Sequence, residues 1–169
     1  NNLAIRGVIH NRSIYGGSTS IVHIVTTAIE HASVLEPIRA LEKAGVIEVT
    51  ILPVDGDGYV TPEAVVAAMR ENTALVSIGW ANNEIGTIQP IAKIARAVKA
   101  KNPRTLVHTD AVQAAPWLDA DVKNAGADLM TISAHKMYGP KGVGALYVKD
   151  DVKLEPIIYG GGQEYGLRS

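Results

Sequence analysis

The chain has 169 residues, enough for one domain with a core of its own. Its 16 Lys and Arg against 17 Asp and Glu give no electrostatic reason to expect nucleic acid or an anionic membrane surface as partner, and no apolar run approaches the roughly 20 residues of a bilayer span. With no cysteine, neither a disulfide nor a thiolate metal site can form within it; small, specific ligands are the expectation.

In chain order, the opening Asn1-Asn2-Leu3 carries no basic region followed by an apolar segment. Apolar runs of strand length then fall at 23–26, 48–52, 75–78, 106–109, 129–132 and 145–148. Helical spacing separates them: 34–44, stopped by Gly45; a segment opened by Thr61 as N-cap with Pro62 at the first helical position; and a similar one over 90–101. Strands alternating with helices predict an α/β fold, a mostly parallel, doubly wound sheet with helices on both faces. Between the fifth and sixth runs lie only Gly139-Pro140-Lys141-Gly142-Val143-Gly144, too short for a parallel crossover, so the last strand is expected to be antiparallel. Asp55-Gly56-Asp57-Gly58 reads as a turn and not a calcium loop, because Val66 stands where that motif needs glutamate.

In such a sheet ligands bind beyond the carboxyl ends of the strands. Polar residues gather there: His31 after the first strand, Asn82-Asn83-Glu84 after the third, Asp110 and Gln113 after the fourth, and Ser133, His135 and Lys136 after the fifth. A lysine just past a buried strand can be partly desolvated and free to form an imine with an aldehyde, although Lys136 taken alone reads first as a surface residue. Asp110 could keep a pyridine nitrogen protonated; alone it reads as the cap of a helix beginning near Ala111. Ser133 and His135 could offer a hydroxyl and an imidazole to a phosphate, with Gly139 and Gly142 permitting a tight backbone. His31 could stack on a ring or move a proton, or simply be hydrogen-bonded. A metal set of His108, Asp110 and His135 is disfavoured, since the first two face one way only if the strand runs through both. No G-x-G-x-x-G or P-loop pattern supports a nucleotide-binding domain.

Taken together, NNLAI, IEHASV around His31, NNEIGTIQPI around Asn83, HTDAVQ around Asp110, SAHKMYGPKGVGALYV around Lys136 and GGGQEYGLRS resemble the class V aminotransferase group of fold-type I pyridoxal-phosphate enzymes. Within that group they are similar to the NifS/IscS-like cysteine desulfurases. The resemblance implies a sheet of seven strands, one antiparallel, and pyridoxal 5'-phosphate as cofactor. It implies that Lys136 forms the imine with the cofactor, Asp110 pairs with the pyridine nitrogen, Gln113 bonds the ring hydroxyl and His31 stacks on the ring. Ser133 and His135 would bind the phosphate, and Asn83 the substrate carboxylate. No metal is implied.

The same resemblance implies L-cysteine as substrate, a sulfur-acceptor or scaffold protein as partner, a homodimer, and a cytoplasmic setting. The runner-up activities are selenocysteine lyase or another class V transferase, and a non-enzymatic cofactor-binding or interaction module is the alternative class. By this reading residues 1–169 are part of a pyridoxal-phosphate-binding large domain. The family's Gly-Ala-Thr-Glu-Ser phosphate loop is expected before Asn1, and its nucleophilic cysteine, carboxylate-binding arginine and small C-terminal domain after Ser169. A chain so placed is expected to be inactive alone. Tyr165 stands where the family usually has arginine.

Overall fold

The computed structural model describes residues 1–11 and 21–168; Ser169, at the end of the last family-like motif, lies outside them. Among these residues six strands form one sheet: β1 (Val22–Thr27), β2 (Ile47–Leu52), β3 (Thr73–Ser77), β4 (Leu106–Asp110), β5 (Leu129–Ser133) and β6 (Gly144–Val148). Their order is β2-β1-β3-β4-β5-β6. The first five are parallel and β6 is antiparallel to β5, with Ser133 opposite Gly144. Both sequence expectations hold, and for the reason given: the short link after Lys136 can only double back.

The helices are α1 (Asn2–His10), α2 (Ala32–Lys43), α3 (Pro62–Ala68), α4 (Ile91–Lys101) and α5 (Val122–Ala125). They lie on both faces, because neighbouring residues of each central strand point to opposite sides. Ile24, Leu75, Leu106 and Leu129 pack with Ile5, Val8, Val34 and Ile38 of α1 and α2. Val25, Val76, Val107 and Met130 pack with Val65, Ile94, Val98 and Ala125 of α3, α4 and α5. Side chains buried this fully contribute about 2 kcal/mol each.

Local chemistry sets the helix ends. Thr61 Oγ1 accepts from Ala64 N at 3.1 Å, with Pro62 in the first turn. Gly45, at φ +69°, ends α2. Two helices were not expected from the sequence. In α1 the residues Ala4, Ile5, Val8 and Ile9 share a buried face with Gly7, a weak helix former; α5 is a single turn between its cap Asp121 and left-handed Gly126. The helix expected near Ala111 is absent, and residues 112–117 form successive turns instead. The 55–58 turn is as expected, with Asp55 Oδ1 accepting from Asp57 N and Tyr59 N.

Candidate active site

Four strands deliver polar side chains to one edge of the sheet. β1 runs into Glu30 and His31, β3 into Asn82 and Asn83, β4 ends on Asp110 with Gln113 one turn on, and β5 ends on Ser133 just before a 3-10 turn, Ala134–Lys136. Being antiparallel, β6 starts at that same edge and adds Gly142 to Gly144. All seven expected residues, His31, Asn83, Asp110, Gln113, Ser133, His135 and Lys136, line one cleft of about 560 Å³, within the size range of small-molecule and cofactor sites.

The geometry orients these groups. Asp110 splits its carboxylate: Oδ1 accepts from Val112 N at 2.9 Å and Oδ2 from Asn1 Nδ2 at 2.6 Å. The capping and site readings of Asp110 therefore coexist, although what it caps is a turn and not a helix. Asn1 Nδ2 also donates to Ser33 Oγ at 2.7 Å, and Ser33 Oγ lies 2.8 Å from His31 Nδ1. A hydrogen-bonded path thus joins His31 to Asp110. Because Ser33 N donates to His31 Nδ1 at 3.1 Å, Nδ1 is an acceptor and the neutral ring carries its proton on Nε2. Ser33 N is also the first amide that α2 needs capped, so His31 serves as its N-cap.

Across the cleft Ser133 Oγ sits 2.8 Å from His135 Nδ1, pairing a hydroxyl with an imidazole. The chain folds back sharply after Lys136: Met137 N and Gly139 N both donate to Ala134 O, and a Cβ on Gly139 would stand 2.8 Å from that of Ala134. The tight backbone expected of this glycine is thus required by close approach. The partial desolvation expected of Lys136 is not found. Like His31, Asn83 and His135, it is exposed on the wall of an open cleft, because the 3-10 turn lifts it clear of the strand that was expected to bury it.

Sequence reasoning missed four residues at this site. Asn1 and Ser33 form the path just described, and Asn1 Oδ1 is buried without a hydrogen-bond partner. Glu30 is half-buried, and burial first, with the charge of Asp110 adding, pushes its carboxyl up to about 7, against the lowering effect of bonds from Thr27 and Gly79. Thr131 Oγ1 lies 3.0 Å from His108 Nε2, and Ser77 Oγ lies 2.8 Å from His108 Nδ1. Burial pushes the His108 imidazole down to about 3, so it stays neutral. β4 does run through both His108 and Asp110, but both nitrogens of His108 are occupied. Among the described residues no cluster of three or more His, Asp or Glu could hold a metal. Glu30 and Ser33 lie in the family-like stretch around His31 and Asn1 in the opening one, but neither stretch assigned them a role; Thr131 had no such signal.

The donor set suits a flat, anionic aldehyde. It combines a primary amine, a carboxylate whose oxygens are fixed in direction, an imidazole held by its Nδ1, a hydroxyl–imidazole pair, and an orphaned buried acceptor at Asn1. The residues present fit pyridoxal phosphate.

The chain matches the family described as aminotransferase class-V over residues 2–168. It therefore belongs to the class-V aminotransferase family, whose cofactor is pyridoxal phosphate. Within that family it is similar to a protein named cysteine desulfurase IscS from Clostridium botulinum, 49% identical over 168 residues, covering 99% of this chain and 40% of that protein. Among solved structures, a NifS-like protein superposes with TM-score 0.92 at 43% identity, covering 99% of this chain and 44% of that one. Another, titled SspA in complex with cysteine, gives TM-score 0.89 at 43% identity, covering 99% and 46%. The chain thus spans less than half the length of these relatives. No helix among the described residues is long and apolar enough to cross a membrane.

Proposed function

We propose that this chain forms the cofactor-bearing part of a cysteine desulfurase, which converts L-cysteine to L-alanine and passes the sulfur on as a persulfide for iron–sulfur cluster or thio-cofactor synthesis. The observation that carries the reading is the convergence of Lys136, Asp110, Gln113, His31, Ser133, His135 and Asn83 on one cleft. Similarity to a desulfurase and to a protein solved in complex with cysteine supports the choice of substrate.

In this proposal Lys136 Nζ holds the cofactor aldehyde and, during turnover, moves the proton at the substrate α carbon. Asp110 faces the ring nitrogen with a carboxylate that Asn1 and the Val112 amide keep from rotating. His31 would stack on the ring, Gln113 would bond the ring hydroxyl, Ser133 and His135 would hold the phosphate, and Asn83 would orient the substrate carboxylate. The bound cofactor supplies an electron sink for the negative charge that develops at the α carbon. The sulfur-accepting thiolate belongs to a cysteine outside these 169 residues, because none lies within them. A homodimer, delivery of sulfur to an acceptor or scaffold protein, and a cytoplasmic setting belong to the same proposal; light scattering, pull-down and cell fractionation check them.

The test is alanine release from L-cysteine by the full-length enzyme with pyridoxal phosphate and a reductant, against a Lys136→Ala control for the free cofactor's own reaction. Lys136-dependent alanine is expected from the full-length enzyme and none from residues 1–169 alone. Full-length enzyme that binds the cofactor yet leaves cysteine intact would rule the reading out. Sustained turnover by the isolated 169 residues would overturn the external-thiolate step.

A further inference from the structure

Beyond their last paired residues, β1 and β3 part company. Ala28 N donates to Leu52 O at 2.9 Å, so the chain leaving β1 stays with β2; Ile78 N donates to His108 O at 3.1 Å and Trp80 N to Asp110 O at 2.9 Å, so the chain leaving β3 stays with β4. Between β1 and β3 the connections reverse direction, and topology opens a crevice there. His31 stands on one lip and Asn83 on the other, both facing the cleft.

Side chains cross this gap. Glu30 Oε1 accepts from Thr27 Oγ1 at 2.6 Å on its own lip, and Oε2 accepts from Gly79 N at 2.8 Å on the opposite one. The approach is close enough that a Cβ on Gly79 would stand 3.1 Å from Oε2, tight for any larger residue. In the other direction Asn82 Nδ2 donates to Ile29 O at 2.9 Å, while Asn82 Oδ1 accepts from Glu84 N and Ile85 N and so shapes the turn that carries Asn83.

We propose that Glu30 is a positioning residue whose carboxylate spans the crevice between β1 and β3 and sets the separation of His31 and Asn83 across the cleft. In this role it acts through His31 and Asn83, although it also lines the cleft. Glutamate has the reach to serve both lips at once, and aspartate is one methylene short. Glutamine keeps the reach, offering Oε1 to Gly79 N–H and an amide N–H to Thr27 Oγ1. The kinetic consequence rests on the desulfurase reading; the effect on the gap itself does not.

Two measurements test this separately. In hydrogen exchange on the apoprotein, Glu30→Ala is expected to speed exchange over residues 79–83 about tenfold, since Gly79 N–H loses an acceptor that bridges the lips, whereas Glu30→Gln stays near wild type. In steady-state kinetics of the full-length holoenzyme, Glu30→Ala and Glu30→Asp are expected to raise KM for L-cysteine about tenfold with a smaller change in kcat, and Glu30→Gln to restore it. If Glu30→Ala does not fold, Glu30→Asp carries both comparisons. Wild-type exchange and KM in the alanine or aspartate variant would overturn the proposal, as would a lowered melting temperature with KM intact. A glutamine variant as impaired as alanine would assign the effect to charge and overturn it equally. If the wild-type enzyme releases no alanine, the desulfurase reading fails and the exchange comparison decides this proposal alone.

Discussion

His23, near the amino end of β1, and His31, just beyond its carboxyl end, are both hydrogen-bonded imidazoles, yet their surroundings differ. His23 is fully buried, with Thr73 Oγ1 at 2.9 Å from Nδ1 and Thr50 Oγ1 at 2.8 Å from Nε2, so both nitrogens are used. His31 has its Nδ1 anchored and is otherwise exposed on the cleft. The carboxylates repeat the contrast. Asp128, at the amino end of β5, accepts from Val107 N at 2.8 Å and pairs with Lys99 at 2.6 Å, with Lys149 at 3.7 Å. Asp110, at the carboxyl end of β4, accepts one hydrogen bond at each oxygen, from Val112 N and Asn1 Nδ2, and still lines the cleft. Polar groups at the amino ends are consumed by the fold, whereas those at the carboxyl ends are oriented and left with capacity to spare, which is what separates structure from function here.

Substitutions should sort by end, and the largest effect belongs to the cleft. Lys136→Ala in the full-length enzyme is expected to lower turnover by about a thousandfold or more with little change in melting temperature. Borohydride reduction with pyridoxal phosphate should label Lys136 in a peptide map, and label on Lys141 or Lys149 would break the contrast at its centre. Next comes Asp110→Ala, expected to cost several hundredfold in kcat, roughly the loss of one preorganised electrostatic partner, while some cofactor stays bound. Because Oδ1 also caps the Val112 amide, stability should fall by about 1 kcal/mol. A fall in stability with activity per bound cofactor unchanged would make Asp110 a cap and nothing more.

At the opposite end Asp128→Ala should cost about 3 kcal/mol of stability, read from urea unfolding, because a buried carboxylate pairs there with Lys99 and the Val107 amide. Its kcat should match wild type once folded. The smallest effect is a pH dependence. Burial first, then the charge of Arg70, pushes the His23 imidazole down to about 4, with Glu48 opposing. The folded pKa lies below the unfolded one, so between them the unfolded chain binds more protons. The resulting stability is fully present above about pH 6.5 and is lost as pH falls toward 4. His23→Gln should flatten that acid limb between about pH 6.5 and 4. An unchanged slope would show that the buried imidazole is not what sets it.

Much of this chain could be read without its structure, because periodic burial writes itself into composition. The six strand runs, the three helices and the antiparallel return after Lys136 follow from apolar runs, helix-end signals and loop length. The motifs around His31, Asn83, Asp110 and Lys136 carried the chemistry. Gly7 lowers the helix propensity of α1, and a single-turn helix such as α5 is too short to leave a period.

What tertiary structure alone decided is which groups meet. The sequence places Asn1, Ser33 and Asp110 on separate elements; only packing of α1 and α2 against the sheet brings Asn1 within 2.6 Å of Asp110 and 2.7 Å of Ser33. It likewise places Glu30 beside His31, but the divergence of β1 and β3 is what puts Gly79 N–H within its reach. Hydrophobic pattern and capping are local and can be read along the chain. A side chain's hydrogen-bond partners depend on strand order and on where each strand ends, and those are properties of the folded sheet.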